Sequence, residues 1–239
     1  MSGPTSGGRG DKMTVLSISD IKKTFGGIVA LDGVSIDIED GVTYAIIGSN
    51  GAGKTTLFNC ITGYHRPDSG SIVFEGADIV GERPHDIARK GIRRTFQEVN
   101  VFDELTVAEN ITLASYTVDP YEVMSTLDLL DISDKYTDEL TLFERKRVAL
   151  GLAMDGRLLL LDEIFSGLNP SEKPEMKEYL GEIGEEKILV LIEHDIETAF
   201  ELSDQVIVLH RGRVLGKGTH EEITNNDEIR EKYLGERTI

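Results

Sequence analysis

The sequence predicts an α/β fold in three parts: a core of parallel strands, an antiparallel β lobe ahead of it and an inserted α-helical subdomain. Tyr44 to Ile47, Leu158 to Leu161 and Ile188 to Ile192 are nearly unbroken apolar runs, the pattern of parallel strands covered by helices on both faces. Val15 to Ile18 and Val34 to Ile38 alternate apolar with polar residues, as strands with one wet face do. Between Gln97 and Met154 the strand signal vanishes. There Val107 to Ala114, Tyr121 to Leu130 and Thr141 to Met154 carry apolar residues at helical spacing.

In chain order, Met1 to Asp11 is rich in Gly and Ser, lacks an apolar stretch, and reads as a disordered tail (1–12) with no secretory signal. Residues 13–239 form one domain: 13–96 and 155–239 make the core with its β lobe, and 97–154 the helical subdomain. The strand Val42 to Ile47 runs into a glycine-rich turn, and Thr55 to Ile61 continue with a helical pattern. Ser71 to Phe74 is a further short strand, and Asp119-Pro120 breaks the helical region. Gln205 to Leu209 and Arg213 to Leu215 flank His210, Arg211 and Gly212 as a late hairpin.

With 239 residues, 39% of them hydrophobic, the chain can bury a sizeable core. Its 43 Asp and Glu against 25 Lys and Arg give a formal net charge of −18, which excludes general nucleic-acid or anionic-lipid binding; any bound anion needs a local site. Cys60, the one cysteine, rules out an internal disulfide and a Cys-rich metal cage, and reads as a small core residue. No apolar run approaches the roughly 18 residues of a membrane-spanning helix.

Gly48-Ser49-Asn50-Gly51-Ala52-Gly53-Lys54-Thr55-Thr56 has the spacing of a phosphate loop, with a strand before it and a helix after it. Glycines let successive N–H groups curl round phosphate oxygens, and the helix aims its positive end at them. Lys54 would reach the β and γ phosphates, and the Thr55 hydroxyl would ligate Mg²⁺. A lysine about 4 Å from a phosphate is worth a few kcal/mol, enough to overcome the acidic exterior locally. Leu158-Leu159-Leu160-Leu161-Asp162-Glu163 is a buried strand ending in paired carboxylates, where open α/β sheets hold ligands. Asp162 would hold the metal through water, and Glu163 would activate the water attacking the γ-phosphate.

These residues resemble the ATP-binding subunits of ABC transporters, over nearly all of Met13 to Glu236, which implies a P-loop NTPase (RecA-like) core. The resemblance implies that Phe25 stacks on adenine, that Gln97 senses the metal and water, that Ser166-Gly167-Leu168-Asn169-Pro170 is a D-loop, and that His194 contacts the γ-phosphate. Phe58 to Gly63, Arg94-Thr95-Phe96-Gln97, Leu105 to Asn110, Ile192-Glu193-His194-Asp195 and Tyr233 to Glu236 are similar to the ATPases of branched-chain amino-acid uptake. Relatives serving urea uptake or lipopolysaccharide export leave the cargo open. The implied cofactors are ATP and Mg²⁺. The implied partners are transmembrane permease subunits, docking near Glu98 to Phe102, a second ATPase subunit and, indirectly, a solute-binding protein, at the cytoplasmic face of the membrane.

The family signature Leu-Ser-Gly-Gly-Gln, which grips the partner subunit's nucleotide, corresponds here to Leu140-Thr141-Leu142-Phe143-Glu144. Leu142 and Phe143 replace both glycines and are expected to crowd the place where backbone must approach phosphate. Ile164 stands where the family has proline. An unequal heterodimer is therefore expected, with a homodimer as the alternative. A nucleotide-gated dimerisation module with weak hydrolysis is the competing function. A GTPase lacks support, since no Asn-Lys-x-Asp motif is present.

Overall fold

The computed structural model describes residues 13–234; the expected tail 1–12 and the Gly235-Glu236 ending lie outside the described residues. The antiparallel lobe is a four-stranded sheet, formed by β1 (Thr14–Phe25), β2 (Ile28–Glu39), β4 (Ser69–Phe74) and β5 (Ala77–Asp78) in the order β2-β1-β4-β5. Its long strands extend well past the alternating stretches seen in the sequence. Bulges between Ile18 and Ile21 and between Lys23 and Thr24 let one hairpin run on through polar and glycine-containing segments.

The second sheet has six strands in the order β10-β9-β3-β8-β7-β6. These are β3 (Tyr44–Ile47), β6 (Ile92–Arg94), β7 (Leu158–Asp162), β8 (Ile188–Ile192), β9 (Gln205–His210) and β10 (Arg213–Gly218). All neighbours pair parallel except β9 and β10, which form the expected hairpin. Its turn places Arg211 and Gly212 both at positive φ, 48° and 76°, the paired left-handed geometry that fits the twist of a hairpin. Strand β6 was not visible in the sequence. It is three residues long at the sheet edge, and two of them are arginines.

The unbroken apolar runs split by strand periodicity between the two faces of this sheet. Tyr44, Ile46, Leu158, Leu160, Val190 and Leu209 pack with the β lobe and with α1 (Lys54–Ile61). Leu159, Leu161, Leu189 and Leu191 pack on the other face with the helical segment and with α6 (Glu172–Glu186). Ala45, Ile47, Val206 and Val208 meet α7 (Ile196–Leu202), α8 (His220–Thr224) and the short α9 (Asp227–Ile229). Cys60 is buried within the first cluster, and burial pushes its thiol up to about 11, which fits an inert core residue.

After α2 (Pro84–Arg89) and β6, no strand occurs among the described residues until β7, apart from an isolated bridge between Thr106 and Tyr136. The helices here are α3 (Val107–Ala114), α4 (Pro120–Thr126) and α5 (Leu142–Ala153). Helix α3 matches the expected span and opens with a Thr106–Glu109 capping box. The helix expected over 121–130 stops at Thr126, because Asp128 turns the chain at φ 49° and Leu130–Ile132 form a separate 3₁₀ turn. No described helix is long and apolar enough to cross a membrane.

Glycines join the lobes at one point. A Cβ at Gly48 would overlap the Leu209 carbonyl, one at Gly53 would lie 2.6 Å from the Ala30 oxygen, and one at Gly212 would lie 2.7 Å from the same oxygen. Gly212 N–H donates to the Ala52 carbonyl at 2.9 Å and Asp32 N–H to the Gly212 carbonyl at 2.8 Å. Gly212→Ala is therefore expected to cost about 2–5 kcal/mol, from a left-handed φ together with overpacking. Gly76→Ala, at φ 80° but in open space, is expected to cost only about 1–2 kcal/mol. Urea unfolding midpoints at unchanged slope measure both.

Candidate active site

Four loops leave the carboxyl ends of parallel strands on the same edge of the six-stranded sheet. Strand β3 delivers the loop Gly48–Gly53, β6 leads to Gln97, β7 ends in Asp162 and Glu163, and β8 leads to Glu193 and His194. Parallel register thereby gathers residues more than a hundred positions apart. This is the end of an open α/β sheet where ligands bind.

Helix α1 begins at Lys54 behind Gly53, whose φ of 107° only glycine adopts without strain. No side chain caps this helix and its first turn holds no acid, so the positive end is turned toward the loop without a protein anion to neutralise it. Lys54 is buried, and its Nζ donates to the carbonyls of Gly48 at 2.8 Å and Ser49 at 3.3 Å, bending the ammonium back over the cradle. A cleft of about 560 Å³ opens there. It is lined by Asn50, Gly51, Ala52, Gly53, Lys54, Thr55 and Thr56, by Ile28, Val29 and Ala30 of the β1–β2 hairpin, and by Gln97, Glu163 and His194. Phe25 pairs with Ile28 at the hairpin end, and its ring stands edge-on to His65 at 5.1 Å rather than on the cleft wall.

Glu163 sits in the left-handed region at φ 51°, an uncommon conformation for a non-glycine residue. Both its oxygens are held: Gln97 Nε2 donates to Oε2 at 3.0 Å, and His194 Nε2 donates to Oε1 at 2.7 Å. Next to it Asp162 is buried against Arg94, whose Nη2 donates at 2.6 Å; Arg94 Nη1 also donates to Asn59 Oδ1 at 2.6 Å. Burial pushes the Asp162 carboxyl up, and the Arg94 guanidinium pulls it back. Arg94 had appeared in the sequence only as part of a motif, since nothing along the chain links it to a carboxylate 68 positions away. Asp195 caps α7, accepting from Glu197 N–H and the Thr198 hydroxyl, which fixes the backbone just after His194.

The altered signature forms the start of α5. Thr141 is its N-cap: its hydroxyl accepts from Glu144 N–H at 3.2 Å, and the Glu144 carboxylate accepts from Thr141 N–H at 2.8 Å. Both glycine replacements had been expected to crowd the phosphate approach, but only Leu142 projects outward, 45% exposed beside Gly167. Phe143 turns into the helical core and lies under the Arg147 guanidinium at 5.0 Å. Asn169 closes the turn before α6, its side-chain oxygen accepting from the N–H groups of Ser171 and Glu172.

A glycine cradle with a buried lysine, facing paired acids at the end of the next strand but one, together with a helical insertion, defines a nucleoside-triphosphatase cassette. Comparison with known proteins agrees. The family described as ABC transporter matches residues 31–166. The chain is 34% identical over 250 aligned positions to the high-affinity branched-chain amino acid transport ATP-binding protein BraF of Pseudomonas aeruginosa, covering 93% of this chain and 98% of that protein. LivG of Escherichia coli K12, with the same description, is 32% identical with the same coverage. The solved ADP conformation of MJ1267, an ATP-binding cassette of an ABC transporter, superimposes with a TM-score of 0.82 at 28% identity, over 94% of this chain and all of that one. The chain belongs to the ABC transporter family, as one of its ATPase subunits.

Glu193, one residue before His194, is buried, and burial first of all pushes its carboxyl up to about 7. Between about pH 4.5 and about 7 the folded protein keeps a proton that the unfolded chain releases, so this group lowers stability as pH rises through that window. Glu193→Gln removes the effect. Relative to the native protein the variant is expected to gain up to about 3 kcal/mol from about pH 4 to about pH 8, read from denaturant unfolding at each pH.

Proposed function

We propose that this chain powers an ABC importer for branched-chain or other hydrophobic amino acids, sitting at the cytoplasmic face of the membrane through permease subunits. The observation that carries the reading is the Glu163 carboxylate, held between Gln97 and His194 across the cleft from Lys54. Asn50 to Thr56, with Ser49 beneath, cradle the phosphates of ATP, and the Ile28–Ala30 wall with nearby Phe25 receives the adenine. Glu163 takes the proton of the attacking water as general base. When His194 exchanges its bond from Glu163 to the γ-phosphate, one carboxylate oxygen is released to meet that water.

The donor set suits Mg²⁺: the Thr55 hydroxyl, the Asp162 carboxylate and the Gln97 amide oxygen are hard oxygen ligands, and Gln97 Nε2 is already committed to Glu163. Asp162, neutralised in part by Arg94, fits a role through water. When bound, the ion neutralises charge developing on the phosphate oxygens.

The permease surface extends from Glu98 to Phe102 into a neighbouring cleft of about 470 Å³ lined by Tyr64, His85, Arg93, Phe96 and Leu152 among others. Phe102 is half exposed, while buried Asn110 pins its backbone, accepting from its N–H and donating to its carbonyl. A membrane-subunit helix with an apolar face fits this surface.

The second ATPase subunit is a different chain. Exposed Leu142 and the self-capped start of α5 leave this chain poorly suited to grip a partner's γ-phosphate, whereas its own cradle is complete. The same two features favour the alternative, a nucleotide-gated dimerisation module with little hydrolysis.

Glu163→Gln is expected to lower ATP turnover by about 10²–10⁴-fold while nucleotide affinity by calorimetry changes less than about threefold. Lys54→Ala is expected to lose nucleotide binding altogether. Full turnover in the glutamine variant removes Glu163 from the role. Native protein that binds and dimerises with ATP but does not hydrolyse it, with or without a second ATPase, selects the alternative.

A further inference from the structure

Two buried ionisable side chains that the hydrolytic site does not use converge on the turn that begins at Glu163. Lys146 lies on α5, four residues past exposed Leu142 at the helix start, and is only 4% exposed. Its Nζ donates to the Ile164 carbonyl at 2.9 Å and to the Glu163 carbonyl at 3.3 Å. Glu193 comes to the same turn from the end of β8 and is likewise 4% exposed; its Oε1 accepts from Phe165 N–H at 3.4 Å. One cation from the helical segment and one carboxyl group from the core therefore hold three successive residues, 163 to 165. Each feels the other's charge, and Lys146 also feels that of Glu163.

Burying an ammonium is unfavourable unless it is hydrogen-bonded, and an apolar side chain of similar length would fill the space without that cost. The bonds go to a turn that needs holding. Glu163 is in the left-handed region, a strained conformation that persists only where its surroundings over-determine it. The turn's own bond, Ser166 N–H to the Glu163 carbonyl at 3.0 Å, shares its acceptor with Lys146.

We propose that Lys146 is a positioning residue, which fixes the backbone of Glu163 and Ile164 from the helix of the altered signature, while the Glu193 carboxyl holds Phe165. The proposal rests on the reading of Glu163 as general base. It acts through that residue without touching nucleotide. A shift of α5, such as one produced by a partner chain at its exposed start, is thereby felt at the Glu163 carboxylate through one side chain.

The test compares full-length native protein with Lys146→Met, which keeps length without charge, and Lys146→Arg, which keeps charge and donors. Each is assayed with whatever second ATPase the native chain requires, for kcat and KM, for ADP affinity by calorimetry, and for backbone hydrogen exchange at 163–168. The methionine variant is expected to lose at least about tenfold in kcat, with KM and ADP affinity within about threefold of native and faster exchange at Ser166; the arginine variant is expected to recover most of both. A folded methionine variant with kcat within about twofold and unchanged exchange overturns the proposal. If that variant does not fold, the arginine variant decides: native kcat with native exchange supports the link, and lost kcat with native exchange overturns it. Native protein without any turnover ends the hydrolytic reading instead, and the exchange comparison still tests the link.

Discussion

The close seating of the phosphate loop on the rest of the molecule is the constraint on which the other features depend. Gly48 must pass the Leu209 carbonyl, and Gly53 and Gly212 both lie against the Ala30 oxygen, with no room for a side chain at any of the three. The antiparallel lobe, the loop and the β9–β10 turn thus meet at close backbone contacts, reinforced by the Arg213–Asp32 ion pair, and the Gly212 and Ala52 amide groups are bonded across the junction. Because the hairpin wall of Ile28 to Ala30 is set by this contact, so is the width of the cleft above Lys54. A rigid cradle matters because its N–H groups must already point inward when a phosphate arrives.

In a chain of net charge −18, three cations with little exposure gather at one edge of the six-stranded sheet. Lys54, Arg94 and Lys146 each have their charge turned to a carbonyl or carboxylate of the loops at that edge. Arg94 offsets the burial of Asp162, and Lys146 with Glu193 braces the turn of Glu163. Around them the surface stays acidic. Attraction for a triphosphate is accordingly local and short-ranged.

The altered signature shows how a local substitution is redirected by packing. Phe143 becomes part of the helical core, stacked under Arg147, and so strengthens the segment it was expected to obstruct. Leu142 remains at the surface beside Gly167, and the Glu144 carboxylate satisfies the Thr141 N–H, so the start of α5 is complete without a ligand. Stability of this helix and its suitability for gripping phosphate are separate properties, and here the first is secured by groups that compete with the second.

Sequence alone determined the α/β class, the phosphate loop, the Asp162-Glu163 pair and α3, because each rests on local periodicity or on spacing within a few residues. The end of α4 escaped it, since the break depends on one backbone angle at Asp128. So did β6, too short and too basic to show a strand pattern. Tertiary structure alone decided that Gln97 and His194 both hold Glu163, that Arg94 pairs with Asp162, and that Lys146 and Glu193 converge on one turn. These contacts join residues 17 to 68 positions apart, and they exist because parallel strands bring their carboxyl ends to one edge and α5 packs beside it, a register and packing that no single segment encodes.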